Sequence, residues 1–150
     1  MKSPTTRRQF LRHTGFIGLS FGIPLDLALS QQPTRLPGDL NSTRQLSAWL
    51  RIEADHTVTL LIGKVELGQG ILTAVTQVCA DELDVDMAQI RVISGDTQRV
   101  PDEGVTAGSL SMPNCATAVR HAGAEVRALL LGLAAQKWGI PEAQLKTEAG

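Results

Sequence analysis

Residues 48–150 predict an α+β fold, a small β-sheet with two helices packed on one face. Three observations carry this reading. Short runs alternate apolar and polar residues, two longer stretches place apolar residues at helical spacing, and glycine or proline punctuates the joins. The predicted order is β-β-α-β-α.

Leu50, Ile52 and Ala54 alternate with polar neighbours, and Val58, Leu60 and Ile62 repeat the pattern beyond Asp55-His56. This predicts a β-hairpin with Trp49 near its start and His56 in the turn. Gly68 and Gly70 close the second strand region. Leu72, Val75, Val78, Cys79 and Leu83 then recur on one helical face. Asp84 and Asp86 fall in the following loop, and Ile90-Arg91-Val92-Ile93 reads as a short strand. Residues 95–108 hold turn formers without periodicity. A longer helix is expected from about Pro113 to Trp138, with Val119, Ala122, Val126, Leu129, Leu130 and Leu133 as its apolar stripe. Gly139-Ile140-Pro141 ends it, and Pro141 can start a further turn through Leu145. Leu145 to Gly150 reads as the opening of a strand and turn, which points to a truncated or split product.

The first thirty residues read as an export signal. Lys2, Arg7, Arg8 and Arg12 make the start basic, and Thr14 to Leu29 is largely apolar but broken by Pro24 and Asp26. That stretch is short of the about 20 apolar residues a stable span needs. Ala28-Leu29-Ser30 supplies small residues for cleavage after Ser30. Arg7-Arg8-Gln9-Phe10-Leu11 resembles the twin-arginine signal, whose pathway carries proteins already folded, often around a cofactor. The expected address is therefore the periplasm. Residues 31–47, with two prolines and a glycine, read as a linker.

Beyond residue 30 the chain is of one-domain length, with ten Lys or Arg against fourteen Asp or Glu. No basic tract remains to engage nucleic acid. Cys79 and Cys115 are too few for a disulfide scaffold, and Cys79 lies in an apolar helical pattern that favours a free buried thiol.

Two segments are candidates for a site. In Glu66-Leu67-Gly68-Gln69-Gly70 the glycines let a backbone approach a ligand, and Gln69 offers an amide donor and a carbonyl acceptor. Free N–H groups at the start of the next helix would attract an anion. By spacing alone this is a glycine-rich turn, because it matches neither GxGxxG nor a phosphate loop. In Gly104-Val105-Thr106-Ala107-Gly108-Ser109-Leu110-Ser111, hydroxyls and amides gather before the long helix, where they suit an anion. Taken alone, helix capping by Ser109 or Ser111 is the simpler reading.

Together the segments carry more. Residues 66–83 (ELGQGILTAVTQVCADEL), then Gly95-Asp96-Thr97, Val100-Pro101-Asp102 and Thr106-Ala107-Gly108-Ser109-Leu110-Ser111, resemble in order the molybdopterin-binding large subunits of the xanthine dehydrogenase and aldehyde oxidase family. The likeness runs from about Trp49 to Gly150. With the twin-arginine start it looks most like the isoquinoline 1-oxidoreductase and nicotinate dehydrogenase branch.

The resemblance implies a partial molybdopterin-binding domain over 48–150. Gln69 would hydrogen-bond near the molybdenum centre or the pterin, flanked by Gly68 and Gly70. Thr106, Ala107, Gly108, Ser109 and Ser111 would line the pterin and phosphate side. It implies molybdenum-molybdopterin, in the cytosine dinucleotide form, and hydroxylation of an N-heteroaromatic ring or oxidation of an aldehyde with oxygen from water. It implies as partners the remaining large-subunit segment, a subunit with [2Fe-2S] clusters and a c-type cytochrome. The family's catalytic glutamate lies in a C-terminal segment with no counterpart here, so no catalytic residue and no metal ligand is assigned and the chain alone is expected to be inactive. Three readings follow: a piece of a periplasmic molybdenum hydroxylase subunit, a non-catalytic exported binding or assembly module, or an unrelated exported α+β domain, which requires the motif order to be chance.

Overall fold

The computed structural model describes residues 35–147. The proposed signal, cleavage point and first linker residues lie outside that range, as does the end of the strand and turn expected over 145–150.

Three strands form one sheet in the order β1-β2-β3: β1 (Leu50–Ile52), β2 (Val58–Ile62) and β3 (Ile90–Ser94). β1 and β2 make the expected antiparallel hairpin, with Leu50 opposite Leu60 and Ile52 opposite Val58. Its turn is held by Asp55 Oδ1, which accepts from the Thr57 N–H at 3.1 Å and its hydroxyl at 2.7 Å. His56 takes φ 72° there, the left-handed region a turn can require.

β3 joins β2 in parallel, with Val58 opposite Ile90 and Ile62 opposite Ser94. A parallel neighbour needs a long crossover, and helix α1 (Ile71–Leu83) supplies it. Alternation in β2 predicts one buried face, but Thr59 and Leu61 are buried as well as Val58, Leu60 and Ile62. β2 is therefore a central strand covered on both sides.

The core unites Leu50, Val58, Leu60 and Ile62 of the sheet with Ile71, Val75, Cys79 and Leu83 of α1. Helix α2 (Thr117–Trp138) adds Ala118, Val119, Ala122 and Val126. α2 packs mainly on α1, and Gly123 allows the approach: a Cβ there would lie 3.0 Å from Glu82 Cβ. Cys79 and Cys115 are both free and buried, and burial pushes the Cys79 thiol up to about 12.

Two expectations change. The long helix does not begin at Pro113: residues Ser111–Ala116 form a π-helical turn and regular α-helix starts at Thr117. Proline has no N–H for the ladder, and the wider turn accommodates it. The stretch read as linker is packed where it is described. Its 3-10 turns, Gly38–Asn41 and Leu46–Ala48, bury Leu40 and Leu46, and Trp49 Nε1–H donates to Thr43 O at 3.0 Å. Sparse apolar residues without periodicity hid these contacts. The turn after Pro141 forms as a 3-10 turn, Glu142–Gln144.

Candidate functional site

The parallel arrangement sends the chain out of β2 and, after β3, out of β3 at the same sheet end, so both candidate segments emerge there. They wall one groove of about 340 Å³. Gln69 and Gly70 line it from one side, and Thr106, Ala107, Gly108, Ser109 and Ser111 from the other, with Leu67 and Met112 among the apolar lining. Of the eight residues singled out, only Gly68 is absent from the lining.

The first loop is organised by a residue that carried no role in the sequence reading. Glu66 Oε1 accepts from the N–H of Gly68 and of Gly70, both at 2.8 Å, and Oε2 accepts from Leu72 N–H at 3.2 Å. These bonds, led by that of Gly70, hold the Glu66 carboxyl below its usual range. Of the free N–H groups expected at the start of α1, that of Leu72 is thus taken by a carboxylate of the chain, together with those of Gly68 and Gly70 just before the helix. Its signal was visible in the sequence as an acid four residues before the glycine that precedes the helix.

Gln69 is also partly committed. Its Oε1 accepts from Leu67 N–H at 2.5 Å, and Nε2 donates to Val65 O at 2.9 Å. One N–H of the amide and one lone pair of the carbonyl remain for a ligand. Gly70 stands at φ 77° as the residue before α1, and a Cβ there would meet nothing within 4 Å. Glycine is thus needed at this point for its backbone angle, not for want of space.

The second segment is tied to the first. Thr106 Oγ1 accepts from Val65 N–H at 3.0 Å, leaving its hydroxyl hydrogen to be directed elsewhere. Gly108 and Ser109 take φ 64° and 57°, a left-handed pair that turns the chain before the π-helical turn. No side chain caps that turn at Leu110, so the capping roles considered for Ser109 and Ser111 are not taken up there. Both residues line the groove instead. No Lys, Arg or His lines it, so its donors are neutral hydroxyls, an amide and main chain. Among the described residues there is no group of three or more His, Cys, Asp or Glu placed to hold a metal ion.

This geometry stands beside clear likenesses. Residues 14–150 match the family model of the molybdopterin cofactor-binding domain. A nicotinate dehydrogenase chain of Pseudomonas putida is 37% identical over 107 residues, covering 71% of this chain and 9% of that protein. The beta chain of isoquinoline 1-oxidoreductase from Brevundimonas diminuta is 32% identical over 152 residues, covering 93% of this chain and 20% of that protein. Among solved structures, a Cu,Mo-CO dehydrogenase in its carbon monoxide reduced state matches with TM-score 0.61 and 28% identity, over 67% of this chain and 13% of its own. The chain therefore spans a fifth or less of these relatives.

Proposed function

This chain belongs to the molybdopterin cofactor-binding domain family, in the xanthine dehydrogenase group, and from that premise we propose that it forms one wall of the cofactor site of a molybdenum hydroxylase. The observation that carries the proposal is the single groove in which Gln69-Gly70 faces Thr106, Ala107, Gly108, Ser109 and Ser111.

The residues present fit the group. A pterin is a flat, polar heterocycle, and the groove offers small residues for close approach with hydroxyl and amide groups for its edges. When bound, the cofactor supplies the metal chemistry that oxidises a ring carbon beside nitrogen, or an aldehyde carbon, with oxygen from water. The chain's own part is holding. Gly70 lets the loop backbone approach, and Gln69 contributes its spare N–H and lone pair. Thr106 directs a hydroxyl hydrogen toward the groove while fixing the two walls, and Ser109 and Ser111 supply further donors. Ala107 and Gly108 keep the wall low enough for the heterocycle to lie against it.

The rest of the proposal extends the family resemblance. N-heteroaromatics such as nicotinate or isoquinoline, or aldehydes, are the proposed substrate class, and the cytosine dinucleotide is the proposed cofactor form. A [2Fe-2S] subunit carries electrons away, with a c-type cytochrome beyond it. The remaining large-subunit segment brings the catalytic glutamate, and this chain alone does not turn over. The Arg7-Arg8 signal supports export in folded form to the periplasm. A second reading, a non-catalytic exported assembly module, draws on Gln69 and Glu66 being spent largely within their own loop.

The test is to co-produce the chain with the remaining segment and the iron-sulfur subunit in a host that makes the cofactor. The hydroxylase reading expects equimolar molybdenum and pterin in the purified complex and transfer of ¹⁸O from labelled water to isoquinoline or nicotinate. Molybdenum and pterin both missing from that complex would reject it. Cofactor present without turnover on any N-heteroaromatic or aldehyde would favour the assembly module.

A further inference from the structure

Behind the groove, two buried charged side chains join its walls, although neither lines it. Lys64 is 2% exposed and Glu103 7%. A buried ammonium or carboxylate is costly unless its polar atoms find partners. This pair is not among the ion pairs of the described residues, and each member is spent on the other's main chain instead. Lys64 Nζ donates to the carbonyl of Glu103 and, at 3.0 Å, to that of Val105. Glu103 Oε2 accepts from Gly63 N–H at 2.5 Å and from Lys64 N–H at 3.3 Å. The Val65–Thr106 hydrogen bond continues the same seam into the groove. Nothing intervenes between the backbones, since a Cβ on Gly63 would lie 2.4 Å from Pro101 O.

The seam also has a backing. Glu103 Oε1 and Asp39 Oδ2 are both buried with no donor, although the two side chains are in hydrogen-bonding contact. Burial pushes the Glu103 carboxyl up, and the proton it then carries is the donor available to the Asp39 side chain. The Cys115 thiol also bonds to Glu103, from the π-helical turn that begins with Ser111. Glu103 thus touches the loop leading to Gln69, precedes Thr106 by three residues, and bears on the turn that carries Ser111.

We infer that Lys64 and Glu103 are positioning residues, whose reciprocal clamp sets the spacing of the Gln69 loop and the Thr106–Ser111 segment and so governs how firmly the groove retains a pterin cofactor. This rests on the molybdopterin reading given above. What the clamp needs from Lys64 is its donors, and from Glu103 an acceptor oxygen rather than a negative charge.

The test compares variants by amide hydrogen exchange on the full chain and by molybdenum and pterin content of the assembled complex. Lys64→Met keeps the stem and removes the donors. Exchange of the amides over 65–70 and 106–111 should rise about tenfold, with α2 unchanged, and most of the cofactor should be lost. Glu103→Gln keeps a carbonyl for Gly63 and an NH2 group for Asp39, and should leave both readouts within about twofold of wild type. Unchanged loop exchange in Lys64→Met overturns the inference, as does faster exchange with full cofactor content. If Lys64→Met unfolds throughout, Glu103→Gln decides: a folded variant with loosened loops and lost cofactor refutes the acceptor role. Molybdenum missing from the wild-type complex counts against the cofactor reading, and the exchange comparison still decides the clamp.

Discussion

Replacing Glu103 by Gln should flatten a specific fall in stability between about pH 4.5 and 7. Burial is the main cause that pushes the Glu103 carboxyl up to about 7, with the neighbouring Asp39 acting in the same direction. The Cys115 thiol and the Gly63 N–H oppose it by bonding to the charged form, and burial prevails. Lys64, Asp39 and Cys115 are the other titratable groups around it, from the loop after β2, the turn Gly38–Asn41 and the π-helical turn. With the folded-state value above the unfolded one, the folded chain holds a proton the unfolded chain has released. Stability therefore falls as pH rises through this window and levels off above it. At about 1.4 kcal/mol per pH unit, the loss reaches at most about 3 kcal/mol, and any opening toward water on ionisation reduces it. Gln does not titrate, and its NH2 group can donate to Asp39 where the Glu103 proton stood. Urea unfolding of the full chain at stepped pH, wild type against Glu103→Gln, measures the difference directly. A difference that stays constant from pH 4.5 to 8 would refute the reasoning.

Four further outcomes follow from the loops. Gly63→Ala forces a Cβ to within 2.4 Å of Pro101 O, a backbone atom with no rotamer to yield, so urea unfolding should show a loss of about 1–3 kcal/mol. Glu66→Gln keeps only one oxygen for the amides of Gly68, Gly70 and Leu72, so their hydrogen exchange should accelerate while that of α2 does not. In the wild type, those bonds should persist above the ordinary carboxylate range and be lost only as pH falls through the lowered Glu66 value, which an exchange series in acid would follow. Thr106→Val removes the acceptor for Val65 N–H, with an expected cost of about 1–2 kcal/mol by unfolding and a lower pterin content in the assembled complex.

How much of this was legible in the sequence depends on the range of the interaction. The hairpin and α1 were, because alternation in 50–62 and helical spacing in 71–83 are local patterns. That the two small-residue segments belong together was legible from their order along the chain, not from any spacing within either one. The parallel direction of β3 was open to inference from the helical crossover before it, whereas its register was not, since that is set by packing across the intervening loops and helix rather than by composition. Nor was the π-helical turn, although Pro113 marked the place where a regular ladder would fail. Lys64 and Glu103 left no pattern at all. Thirty-nine positions apart, they fall in no motif, and only burial reveals their reciprocal bonds. Leu40 and Leu46 were hidden likewise, as isolated leucines in a stretch of proline and polar residues.

The central claim, that Gln69-Gly70 and Thr106–Ser111 grip one pterin cofactor between them, is tested most directly by the pterin content of the assembled complex carrying Ser109→Trp. The indole would fill the groove from an exposed residue on its wall, while an equally exposed change on α2, Glu125→Gln, serves as reference. Pterin and molybdenum should be lost together in the first and retained in the second. Full pterin content in a folded Ser109→Trp complex would contradict the account.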